Sequence, residues 1–267
     1  MSHEISGSGP VLLVLPGGAG HPMGLDPLTA RLARRFTVVT CDPLGLAHGR
    51  LGLPVADQRV EEWSEGAARL LDAVLPAGER AYVLGTSSGG IAALDLLARH
   101  PGRLRHVVAH EPACVAALPD GARQRARMRE VYAAYRAAGP QAAGALLTAV
   151  LEDREPDHAP APGPRPLTRA EELSSPMALF LAHVLVPFTA YVPSEPALGT
   201  ARQEHAATLT LAAGEGSRGG LLHRTARWLA ERAGAGFAEF PGGHIGAAEH
   251  PEAFADRLVD VFSGQVC

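Results

Sequence analysis

The sequence predicts an α/β protein: a mostly parallel sheet of about six strands, with helices on both faces and an inserted helical cap. Three observations carry that expectation. Short, wholly apolar runs alternate with segments of helical spacing, as buried parallel strands and their crossover helices require. Several of those runs end in Gly-rich turns. The alternation stops for about ninety residues, numbers 112–203, where the pattern is helical only. Residues 1–111 and 204–267 therefore read as the core and 112–203 as the cap. At 267 residues the chain suits one large domain with such an insertion.

Taken in order, Val11–Leu15 is a strand apolar on both faces, stopped by Pro16-Gly17-Gly18. A helical stretch follows near Leu25–Arg35, then a strand over Phe36–Thr40. Val60, Trp63, Ala67, Leu70, Leu71 and Val74 recur at helical spacing. Ala81–Gly85 reads as a strand, Ser88–His100 as a helix and Leu104–Ala109 as a strand. After the insertion come a strand at Thr208–Ala212, a helix at Leu221–Arg232 and a strand at Gly236–Phe240. The last helix puts Phe254, Leu258, Val261 and Phe262 on one face. Within the insertion, Met128, Val131, Tyr132 and Tyr135 share one helical face, and Met177, Phe180, Leu181 and Val184 another. Between them the Pro-rich stretch Pro156 to Pro166 reads as a stiff connector.

Composition narrows the function. Twenty-four basic and 28 acidic residues give a net charge of −4, so no basic surface awaits a phosphate backbone and nucleic acid is not expected as a partner. Every basic residue is Arg. The absence of Lys excludes a Walker A lysine and a Schiff-base or pyridoxal-phosphate lysine. Cys41, Cys114 and Cys267 are odd in number and widely spaced, which fits neither a disulfide framework nor a zinc site. The first ten residues, Met1 to Pro10, are polar and lack the apolar core of a signal peptide, and no run approaches the ~20 apolar residues of a membrane span. The expectation is a soluble, cytoplasmic protein that takes a small-molecule substrate and needs neither metal nor organic cofactor; its oligomeric state is not readable.

Three motifs carry chemistry. Gly85-Thr86-Ser87-Ser88-Gly89-Gly90 is a G-x-S-x-G between a strand and a helix. A turn that tight exposes Ser87 as a nucleophile, and residues two positions away must lack side-chain bulk. Leu15-Pro16-Gly17-Gly18-Ala19-Gly20 offers backbone N–H groups for an oxyanion, with Gly18 first and Ala19 second, beside the Ser88 amide that follows the nucleophile. Phe240-Pro241-Gly242-Gly243-His244 delivers a histidine from a short loop at the end of a late strand. Imidazole is the base Ser87 needs near neutral pH; His48, His110 and His183 are its rivals.

These pieces in this order resemble the α/β-hydrolase superfamily, in particular its small, cap-bearing serine enzymes, over residues 11–20, 40–50, 83–111 and 207–262. Asp42-Pro43-Leu44-Gly45 also resembles that family's turn after its second buried strand. There are departures. Pro16 stands where the family usually has a His before the oxyanion residue, and too few residues precede Val11 for its opening hairpin. At the strand that commonly presents the triad acid, the matching position is Ser217. Two carboxylates compete instead: Glu111, at the end of the strand Leu104–Ala109 where haloalkane dehalogenases among others carry theirs, and Glu215, two residues early on the commoner strand.

The resemblance implies a serine hydrolase of esterase, thioesterase or lactonase type acting on a small, fairly apolar acyl group. Ser87, His244 and Glu111, or Glu215, would form the triad, with Tyr132, Tyr135, Phe180, His183 and Phe188 of the cap at the pocket. An Asp-dependent dehalogenase or epoxide hydrolase is disfavoured by the Ser at the elbow. Acyl transfer, lactone closure, perhydrolysis and C–C bond cleavage share the same constellation, and an inert ligand-binding protein is the remaining alternative.

Overall fold

The computed structural model describes residues 3–18, 25–42, 52–154 and 167–264. The strands are β1 (His3–Ser6), β2 (Val11–Leu15), β3 (Thr37–Cys41), β4 (Ala81–Thr86), β5 (Leu104–His110), β6 (Thr208–Gly214) and β7 (Gly236–Phe240). They form one sheet in the order β1-β3-β2-β4-β5-β6-β7. The six strands β2 to β7 are mutually parallel, and β1 joins the edge antiparallel to β3. The sequence offers no apolar run for β1 because all four of its residues are exposed. An edge strand with no covered face has nothing to alternate.

The wholly apolar runs follow from burial on both faces. Along β2, Leu13 and Leu15 enter one core and Leu12 and Val14 the other. Helices α1 (Asp26–Leu32) and α11 (Pro251–Phe262) cover the second face, where Leu28, Leu32, Phe254 and Leu258 are buried. Helices α2 (Val60–Val74), α3 (Ser88–Arg99) and α9 (Leu221–Ala233) cover the first, with Trp63, Leu71, Ile91, Leu94 and Leu222 inward. A short helix, α10 (Gly246–Glu249), precedes α11.

Between β5 and β6 the chain is helical. Helix α4 (Gly121–Leu151) breaks at Gly139, whose φ of +83° and following Pro140 interrupt the hydrogen-bond ladder. Helix α5 (Arg169–Ser174) starts on a capping box made by Thr168 and Glu171. Then come α6 (Pro176–Leu179), a π-helical turn (Phe180–Val184), α7 (Leu185–Thr189) and α8 (Glu195–His205). The expected Pro-rich connector, Pro156 to Pro166, lies outside the described residues. Helix α8 packs on α3 and α9, so the layer flanking the sheet resumes before β6.

Two polar clusters fasten the insertion to the core. The Tyr191 hydroxyl donates to Asp95 Oδ1 across 2.7 Å, and Asp95, buried on α3, also accepts from Ser64 and Arg99. Arg224 of α9 donates to Asp120 and Asp153, which flank α4. Such charge-assisted bonds hold geometry that apolar contacts alone would leave free to slide. No helix of the described residues is long and apolar enough to cross a membrane.

Candidate active site

The site lies at the carboxyl ends of β4, β5 and β7, where the crevice of a parallel sheet opens. Ser87 sits between β4 and α3 at φ +51°. Backbone of that kind is costly for a residue with a side chain, on the order of 1–3 kcal/mol, and the neighbouring strand holds it in place. The Ser87 N–H donates to the His110 carbonyl across 2.9 Å, continuing the β4–β5 ladder by one step. The turn is closed by contact: a Cβ on Gly89 would lie 2.1 Å from the Leu15 carbonyl oxygen, and one on Gly85 2.4 Å from that of Gly89. Only glycine admits such approach.

One strand over, Glu111 repeats the device. Its φ is +46°, and its N–H donates to the Ala212 carbonyl of β6 across 2.8 Å. The Glu111 side chain is fully buried. Its Oε1 accepts the Gly214 N–H at 2.9 Å, and its Oε2 lies 2.8 Å from Nδ1 of His244. Burial alone would push this carboxyl up. The hydrogen bond and charge of His244, the charge of His110 and the Gly214 amide together outweigh burial and hold it at about 2. A carboxylate can only accept, so Nδ1 of His244 carries the proton and Nε2 keeps the lone pair. His244 reaches this point from the turn after β7, where Gly242, at φ +81°, accepts the Gly216 N–H on its carbonyl at 2.8 Å.

The other acid candidate, Glu215, is exposed on the short turn Glu215–Ser217 after β6. Among the rival histidines, His110 faces the opposite side of the sheet, edge-on to Phe240 and Phe254. Neither ring nitrogen has a hydrogen-bond partner among the described residues. Burial lowers its pKa to about 4, an effect that Glu111 opposes and His244 reinforces. His183, on the π-helical turn, lies between Asp57 and Glu172. His48 falls outside the described residues, as do Ala19 and the segment Pro43-Leu44-Gly45.

Ser87 and His244 line one cavity of about 310 Å³, together with Gly17, Gly18, Thr86 and Ser88. Ser88 opens α3, so its N–H has no intrahelical acceptor. The Gly17 N–H donates to Oγ1 of Thr86 at 3.1 Å. The remaining wall is apolar except for Thr189, whose hydroxyl donates to the Leu185 carbonyl: Met128, Leu147 and Leu151 from α4, Met177 from α6, Phe180 from the π-helical turn, Leu185 from α7, with Leu25, Leu222 and Ile245 from the core. No Asp, Glu or Arg of the described residues lines it. Nor do three His, Cys, Asp or Glu side chains among them gather as a metal site requires.

Of the five cap side chains expected at the pocket, Phe180 lines it and four lie elsewhere. Tyr135 is buried with its hydroxyl on Glu172, and Phe188 packs at a tilt against Trp63 with ring centroids 4.6 Å apart. Tyr132 packs partly buried against the main core, and His183 takes its two carboxylates. The helices of the insertion must pack on one another and on α2 before any face is left for a ligand, and the largest side chains serve that packing. Leu147, Leu151 and Ile245 escaped sequence reasoning because nothing distinguishes a cavity-lining aliphatic from a core one.

A family model described as the alpha/beta hydrolase family matches residues 11–257. An uncharacterized hydrolase of Bacillus subtilis (strain 168), YraK, is 29% identical over 261 residues, covering 97% of this chain and 91% of that protein. Among solved structures, a thermophilic esterase from Thermogutta terrifontis superposes with a TM-score of 0.69 at 17% identity, covering 99% of this chain and 93% of that one. The enol-lactonase from Burkholderia xenovorans LB400 superposes with a TM-score of 0.60 at 17% identity, covering 98% and 96% respectively. At such identities the two structures speak for the fold alone.

Proposed function

Because the chain belongs to the alpha/beta hydrolase family, we propose that it is a serine hydrolase that cleaves esters, thioesters or lactones of small, uncharged, apolar acyl groups. Ser87 Oγ attacks the acyl carbon while Nε2 of His244 takes its proton, and the imidazolium returns that proton to the leaving group. Glu111 holds the ring in the tautomer that leaves Nε2 free and stabilises the imidazolium once formed. The amides of Gly18 and Ser88 receive the developing oxyanion, with no reorganisation at the moment of reaction. Water then repeats the cycle on the acyl-enzyme.

The observation that carries this reading is the 2.8 Å contact between a buried Glu111 carboxylate and Nδ1 of His244, whose ring lines the same cavity as the strained Ser87. A largely apolar wall, with no Asp, Glu or Arg among its described residues, favours a neutral acyl chain over a carboxylate or phosphate. Helices α4 to α7 act as the cap that closes over this chain, while α8 belongs with the core.

An alkyl fluorophosphonate tests the proposal. It should modify one residue, Ser87, with loss of p-nitrophenyl butyrate hydrolysis, and the Ser87→Ala protein should fold normally and take no label. Modification elsewhere with Ser87 untouched, or hydrolysis undiminished in Ser87→Ala, would refute it.

A further inference from the structure

We propose that Thr86 is a positioning residue whose hydroxyl oxygen anchors the Gly17 amide and so aims the Gly18 amide at the substrate oxyanion. The proposal rests on the serine-hydrolase reading above and concerns a residue outside the nucleophile, base and acid.

Over its described residues Pro16, Gly17 and Gly18, the loop after β2 has few means of holding itself. Its last ladder partner is Leu15, registered with Gly85 of β4. Pro16 has no N–H to give. Gly17 and Gly18 follow, with the widest backbone freedom any residues have. The first donor beyond the sheet is therefore the Gly17 N–H, and it goes to Thr86 Oγ1 at 3.1 Å, in a buried bond bridging two strands. Thr86 is the last residue of β4 and precedes Ser87, so the hydroxyl ties the loop to the same strand end that carries the nucleophile.

Two consequences follow. The Gly17 amide is committed to the protein, which leaves the next amide, that of Gly18, to face the substrate from the cavity wall at φ +52°. Fit is also close: a Cβ on Gly17 would lie 2.8 Å from Cβ of Ser87 and 2.9 Å from the Thr86 carbonyl oxygen. A loop seated this tightly transmits any loss of its anchor directly to the distance between donor and oxyanion. Misplacement by about 1 Å can cost about a hundredfold in rate, and outright loss of an oxyanion donor costs about 10²–10³. The hydroxyl oxygen is engaged by the Gly17 N–H and acts through that amide, so its effect should fall on kcat.

The test compares Thr86→Val, which keeps shape and loses the acceptor, with Thr86→Ser, which keeps both hydroxyl and acceptor. Measurements are kcat and KM on p-nitrophenyl butyrate, affinity for a trifluoromethyl ketone that adds to serine as an oxyanion, and fluorophosphonate labelling. Thr86→Val should lower kcat about 10- to 100-fold with KM within about twofold, weaken the ketone in parallel, and leave the acid limb of the pH profile unmoved. Thr86→Ser should recover most of the loss, which a role in packing alone would not explain.

A Thr86→Val enzyme within about twofold of wild type in kcat, or a Thr86→Ser enzyme as impaired as Thr86→Val, overturns the proposal while the labelled wild type leaves the hydrolase reading standing. A wild type that takes no label at Ser87 overturns both. Should Thr86→Val not fold, amide hydrogen exchange of the wild type decides: a protected Gly17 N–H supports the anchor, and a freely exchanging one overturns it.

Discussion

Replacing Glu111 with Gln preserves size and removes charge, and the geometry sets what must follow. The two carboxylate oxygens each receive one N–H, from Gly214 at 2.9 Å and from His244 at 2.8 Å. An amide has one acceptor oxygen and one donor nitrogen, so it can satisfy only one of those partners as they stand. If its oxygen keeps Gly214, its NH₂ faces His244, and the ring must move its proton from Nδ1 to Nε2. The base then lacks its lone pair, and comparable carboxylate-to-amide changes cost about 10⁴-fold in kcat. If the oxygen turns to His244 instead, the Gly214 N–H is left buried without an acceptor, worth about 1–3 kcal/mol of stability.

The acid limb of stability should change too. The folded pKa of Glu111, about 2, lies below its ordinary 4.5. A depressed carboxyl contributes stability that is complete above 4.5 and is lost as pH falls from 4.5 toward 2. Over that window the contribution amounts to about 3 kcal/mol, which Glu111→Gln cannot supply. Steady-state kinetics at pH 7.5, with urea unfolding at pH 7 and pH 3, would measure both effects. Glu111→Gln retaining kcat within about tenfold of wild type, while Glu215→Gln loses about four decades, would refute the reasoning.

Three further outcomes are expected. Gly89→Ala should destabilise the fold by upwards of about 3 kcal/mol in urea unfolding, because its Cβ would meet backbone oxygens of Leu15 and Pro16 at 2.1 and 2.6 Å, and a wild-type midpoint would contradict this. His110→Leu should raise Tm more at pH 5 than at pH 8: the folded histidine titrates at about 4 against an ordinary 6.5, so wild-type stability is full above 6.5 and declines as pH falls toward 4, whereas leucine takes up no proton. A Tm gain that is equal at both pH values would count against that account. Leu147→Trp should fill part of the 310 Å³ cavity and shift kcat/KM from longer to shorter p-nitrophenyl esters, and an unchanged chain-length profile would show that acyl chains bind elsewhere.

The alternation of strands and helices was legible because burial on both faces leaves an unbroken apolar run, as along Val11–Leu15, and burial on one leaves a helical stripe, as along Val60–Val74. The exposed edge strand His3–Ser6 was not, since a strand with no buried face writes no pattern. The elbow around Ser87 was legible for a local reason. Glycines at 85 and 89 are demanded by contacts within a few residues of the turn, or against the loop it packs on.

The partner of His244 was a different kind of question. Glu111 and Glu215 are both carboxylates near strand ends; the sequence favours Glu111 only through its place at the end of the strand Leu104–Ala109 and the two-residue offset of Glu215, and leaves Glu215 as the alternative. What separates them is β5 lying beside β6, the left-handed backbone at Glu111 and the offer of the Gly214 N–H to a carboxylate otherwise stripped of solvent. The same holds for the insertion. Tyr135 and Phe188 share a helical apolar pattern with Phe180, yet only Phe180 of the three reaches the cavity, because the contacts of α4 and α7 with their neighbours claim the other two. Local chain chemistry determines where a strand, a helix or a strained turn will form. Which side chains then meet across 133 residues of separation is set by strand order and packing direction, and those exist only once the sheet is assembled.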